Sequence, residues 1–61
     1  MKTVIKTYVG KLGTVTITEY NDNGDIEYRV KHDGISHIVG TEWFDNKRDA
    51  IACAQFLAGK Y

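Results

Sequence analysis

Polar and apolar residues alternate along two stretches of this chain with the period of a β-strand. Residues 14–20 set Val15 and Ile17 against Thr14, Thr16 and Thr18, the two-residue period at which successive side chains leave opposite faces of a sheet. Residues 26–32 repeat the pattern, with Ile26, Tyr28, Val30 and His32 on one side and Glu27, Arg29 and Lys31 on the other. Between them, Asn21-Asp22-Asn23-Gly24-Asp25 is a dense turn signal, because Asn and Gly tolerate the positive φ angles of a tight hairpin. Residues 3–9 are rich in β-branched and aromatic side chains and predict an earlier strand. The glycine-flanked Gly10-Lys11-Leu12-Gly13 would connect it as a hairpin. Asp33-Gly34 predicts a two-residue hairpin turn. Residues 35–39 then predict a fourth strand, bulged or ended at Gly40, with Trp43 and Phe44 closing onto the core.

After residue 44 the period changes to that of a helix. Ala50, Cys53, Ala54 and Leu57 form one stripe, widened by Ile51 and Ala58, while Arg48, Ala52 and Gln55 face away. Asp45 or Asn46 is the expected N-cap, Asn46 with Asp49 resembling a capping box, and Gly59 the expected C′ residue. The reading is a single α+β domain over 1–61: an antiparallel meander of three to four strands with one C-terminal helix packed on one face. The expected core is Val15, Ile17, Tyr28, Val30, Ile51, Ala54 and Leu57.

Composition narrows the function classes. A chain of 61 residues has a marginal core, and small folds often add disulfides or a metal. With Cys53 the only cysteine, no disulfide can close within the chain, and no Cys/His set has zinc spacing. No secretory signal opens the chain and no apolar run approaches a bilayer span, so a cytoplasmic protein without membrane association is expected. Eight basic and eight acidic residues balance to zero, which disfavours a binder of nucleic acid that works by phosphate neutralisation. The charges are unevenly placed. Lys2, Lys6 and Lys11 are the only charged side chains before Glu19, and Glu19, Asp22, Asp25 and Glu27 gather around one turn.

Candidate chemistry is sparse. His32, Asp33 and His37 could approach one another, but a metal site wants a further ligand, so no metal and no cofactor are expected. Cys53 sits on the apolar stripe, where a free thiol is ordinarily a small core residue. Asp22, Asp25 and Glu27 belong to a solvated turn that cannot retune them for acid–base work, and the chain has little room for a pocket. No enzyme is expected. The sheet face away from the helix is more informative. It should carry Thr14, Thr16, Thr18, Tyr20, Glu27, Arg29 and Lys31, with Tyr8 and Ile38 as further candidates. Tyr and Arg are enriched at binding hot spots, and an exposed Phe56 on the helix would mark a second contact. Tyr8, Tyr20, Arg29, Lys31 and Phe56 are therefore the candidate partner-binding residues, and Trp43 is assigned to the core.

The run Tyr28-Arg29-Val30-Lys31, followed by a turn, a strand and Trp43-Phe44-Asp45-Asn46-Lys47-Arg48-Asp49-Ala50-Ile51, covers about half the chain. It resembles the arm-type DNA-binding domain of tyrosine recombinases, and also short uncharacterised phage and bacterial strand-strand-strand-helix domains. The recombinase resemblance implies a sheet lying in the DNA major groove, with Arg29 and Lys31 as base or phosphate contacts and Lys6 beside them. The chain departs from that family in its zero net charge, its acidic turn at Asp22 and Asp25, and its lack of a catalytic domain. The expected function is thus a small non-catalytic protein-binding module, a phage-type modulator or inhibitor of a host protein. The alternative is a DNA-binding protein using the exposed sheet face. A homodimer is expected through strand 3–9 or the helix rim at Phe56.

Overall fold

The alternating stretches pair with one another in chain order. A computed structural model describes residues 1–34 and 39–59. It contains β1 (Lys2–Val9), β2 (Gly13–Asp22), β3 (Asp25–Gly34), β4 (Val39–Phe44) and α1 (Lys47–Ala58). The strands form one antiparallel sheet in the order β1-β2-β3-β4, an α+β meander closed by its helix. Among the described residues no helix is long and apolar enough to cross a membrane.

The central hairpin follows from its turn residues. Asn23 and Gly24 have φ of 54° and 93°, both in the left-handed region that a two-residue hairpin of the favoured hand requires. The Asn21 side chain accepts from the Gly24 N–H at 3.3 Å, and Asp22 pairs with Asp25 directly outside the turn. Ladder pairing then runs unbroken from that point to Gly13 opposite Gly34.

β1 is less regular. Val4 lies opposite Thr18, but Lys6 lies opposite Ile17, so one extra residue, Ile5, is accommodated as a bulge. A bulge reverses which face each later residue takes. Tyr8 consequently pairs with Val15 and packs against the core, under the helix side of the sheet. The expectation that Tyr8 decorates the free face is thereby corrected.

The link from β3 to β4 also differs from expectation. Asp33 and Gly34 do not form the turn. They remain in β3, with Asp33 opposite both Thr14 and Val39, and Gly34 opposite Gly13. Local turn preference yields here because a longer β2 offers both residues ladder partners. The expected fourth strand lies mostly outside the described residues, as do His37 and Ile38, and β4 runs on instead to Phe44. Gly40 is neither a bulge nor a strand end. It pairs with His32, and a Cβ there would come 2.5 Å from His32 Nε2, so the glycine leaves room for the imidazole ring.

The core occupies the helix side. Val15, Ile17, Tyr28, Val30, Ala50 and Ala54 are buried, with Ile5, Tyr8, Phe44, Ile51, Cys53, Leu57 and Ala58 packed around them. α1 touches all four strands but rests chiefly on β2 and β3. Ala50 and Ala54 face these strands with no exposed surface, and their small side chains allow close approach. Asn46 caps the helix by accepting the Asp49 N–H at 2.8 Å, and its Nδ2 donates to the Asp49 carboxylate at 3.0 Å. At the other end Gly59 keeps a right-handed φ of −65°. It closes the helix by donating to the Gln55 carbonyl at 3.1 Å, so the expected left-handed C′ conformation is not used.

Candidate functional site

Strand parity decides which side chains reach the uncovered face. Cross-strand partners share a face, so the row Val4, Thr18, Arg29 and Trp43 crosses all four strands there. Tyr20 and Glu27 form the next row towards the hairpin turn, followed by Asp22 and Asp25. Thr16, Lys31 and Thr41 lie on the other side of the central row.

Trp43 is the largest departure from the sequence reading. It is 52% exposed and belongs to β4 rather than to a loop over the core. Extending β4 to Phe44 sets Trp43 opposite Arg29 and Phe44 opposite Tyr28. Phe44 therefore takes the core position and Trp43 the free face. The Trp43 and Tyr20 ring centroids are 5.4 Å apart with planes at 49°, a tilted pair of the kind aromatic quadrupoles favour. The Arg29 guanidinium lies 5.2 Å from the Tyr20 centroid, within cation–π range. Thr18, beneath this cluster, is buried although it belongs to the uncovered face. Arg29 Nε is likewise buried and makes no hydrogen bond among the described residues. An unmade bond of this kind carries a desolvation cost, which the contact of the guanidinium with the Tyr20 ring partly offsets.

Beside the cluster is an open notch of about 330 Å³ lined by Tyr20, Trp43, Asp22, Asp25 and Glu27. It is an open depression of the surface rather than an enclosed cavity, in keeping with the little room that so short a chain has for a pocket. The exposed indole of Trp43 walls this concavity at the hairpin end of the sheet. The three carboxylates, read from sequence as a merely solvated turn, are part of its lining.

The other candidate residues are dispersed. Tyr20, Arg29 and Lys31 share the free face, whereas Tyr8 is on the helix side, where Lys6 Nζ stands 5.6 Å from its ring centroid. Phe56 is 65% exposed on the helix, across the sheet from Tyr20 and Arg29. β1 is an edge strand, as expected, and its bulge blunts that edge for further pairing. Cys53 is half-buried; burial, and secondarily the charge of Glu42, push its thiol up, away from the reactive thiolate. Among the described residues no group of three or more His, Cys, Asp or Glu could hold a metal ion.

The signal that would have located Trp43 is parity: once Arg29 and Trp43 are paired, their shared face follows. No family model, curated protein or solved structure matches this chain.

Proposed function

We propose that this chain is a small non-catalytic protein-binding module, and that it engages its partner through the uncovered sheet face centred on Tyr20, Arg29 and Trp43. The observation that carries this reading is the half-exposed Trp43, tilted against Tyr20 and opposite Arg29 on the face the helix leaves open. Trp, Tyr and Arg are the residues most enriched at interface hot spots, and threonines border them as a polar rim. A module of this size without a catalytic set acts by occupying a surface, which is how a modulator or inhibitor works.

The DNA-binding alternative is less well supported. Arg29 and Lys31 do share the face, but Arg29 is committed to Tyr20, and Asp22, Asp25 and Glu27 occupy the hairpin end. Phosphates approaching along the sheet would meet those carboxylates, and no surplus of positive charge offsets them.

Affinity capture with the tagged chain separates the two. A specific protein should be retained by the wild type and by Lys47→Ala on the helix, and lost at least tenfold with Trp43→Ala. Retention should survive nuclease and respond weakly to salt. Release by nuclease, or a steep loss of retention with salt, would favour DNA instead.

A further inference from the structure

Asp22 and Asp25 stand directly opposite each other across the β2–β3 ladder, where like charges repel. Glu27 lies two residues further along β3 on the same side. No hydrogen bond or ion pair engages these three carboxylates among the described residues. This like-charge pair breaks a local rule of sheet pairing, and it does so at the notch walled by Tyr20 and Trp43. Conflicts of this kind tend to mark functional sites.

The lining selects its occupant by chemistry. Carboxylates beside two aromatic rings attract a cation, since the rings present a negative face and the carboxylates a formal charge. A guanidinium suits both parts of the lining. It is planar, stacks on aromatic rings, and donates in pairs to carboxylates. An ammonium is a strongly hydrated point charge and gains less from the rings. The Tyr20 ring already accepts one guanidinium, that of Arg29. A phosphate would meet only repulsion from the three acids.

We propose that the notch is the receptor for an arginine side chain of the partner protein, so that the partner presents an arginine-bearing basic surface to this face. This rests on the reading of the uncovered face as protein-binding, and it adds the partner's charge and its anchoring residue. The acids then gain at the interface the counter-charge they lack within the chain.

Trp43 is the only tryptophan, so its emission reports on the notch directly. The full chain would be titrated with N-acetyl-arginine amide and with the neutral isostere N-acetyl-citrulline amide at fixed ionic strength. Trp43 fluorescence and amide NMR shifts would be followed together. The expected result is a saturable response to the arginine compound, on the order of millimolar for a single anchoring group. Its shifts should centre on Tyr20, Asp22, Asp25, Glu27 and Trp43. Citrulline should bind at least tenfold more weakly, as should arginine to the variant Asp22→Asn/Asp25→Asn/Glu27→Gln. That variant alters only exposed side chains and relieves one like-charge pair, so a melting curve at or slightly above that of the wild type is expected to confirm its fold. Equal binding of citrulline, a response that does not saturate, or shifts away from the notch would overturn the proposal. So would Trp43 emission that changes with protein concentration alone, since a second copy would then be the occupant. In the capture experiment, a partner lost with Trp43→Ala but kept by the triple variant removes the arginine receptor and leaves the face standing. A partner kept by both variants removes the face as well.

Discussion

The two faces of this sheet are built from the same four strands, yet they use their side chains in opposite ways. On the covered face, Val15, Ile17 and Val30 meet Ala50 and Ala54 with almost no exposed surface, and burial of apolar area supplies the stability. On the uncovered face the middle of the sheet carries Thr18, Arg29, Tyr20 and Trp43. There the Arg29 Nε makes no hydrogen bond among the described residues, and three carboxylates crowd one end. One face is arranged for consistency, whereas the other tolerates local conflict. Substitutions should therefore separate stability from binding according to the face they touch.

The largest effect is expected on the covered face. Ile17→Ala removes a fully buried side chain from the centre of the core and should cost about 2–5 kcal/mol in a urea or thermal melt. A single small core rarely supplies more than about 3–5 kcal/mol, so much of the chain should be unfolded. A melt close to wild type would erase the contrast between the faces. Trp43→Ala should cost less, about 0.5–1.5 kcal/mol, the scale of an aromatic pair, while removing most of the partner binding. A loss as large as that of Ile17→Ala would make Trp43 a core residue after all.

A subtler expectation concerns the rim of the covered face. Burial first, and then the hydrogen bond to Glu19 at 3.1 Å and the charge of that carboxylate, raise the Tyr28 phenol above its ordinary value of 10.0. The folded state therefore favours the protonated phenol. Its contribution is fully present below pH 10 and is lost as pH rises through the higher folded value. The wild-type melting temperature should fall above pH 10, and Tyr28→Phe should flatten that decline. Parallel profiles would show that this pair does not contribute. The smallest effect belongs to the acidic end of the free face. Asp25→Asn removes the repulsion with Asp22 and should raise stability by a few tenths of a kcal/mol, at the expense of affinity for an arginine-bearing partner. A drop in stability would mean that the carboxylate has a structural role.

Local signals were sufficient wherever the chain needed only its neighbours. The alternation at 14–20 and 26–32, the turn at Asn23-Gly24, the Asn46 cap and the small-residue stripe of the helix all appear where the residues alone place them. The same holds for Val15, Ile17, Tyr28, Val30 and Ala54 in the core, and for Tyr20, Arg29 and Lys31 on the open face. Tertiary structure decided the rest through register. One extra residue at Ile5 turned Tyr8 from the free face to the covered one. Extension of the β2–β3 ladder drew Asp33 and Gly34 out of a favourable turn and carried β4 on to Phe44, which brought Trp43 beside Tyr20. A strand's face depends on the parity of its pairing, and a shift of a single residue reverses that parity. Parity is set by hydrogen bonds between strands far apart in sequence, so the notch of Tyr20, Trp43, Asp22, Asp25 and Glu27 arises only when those strands meet.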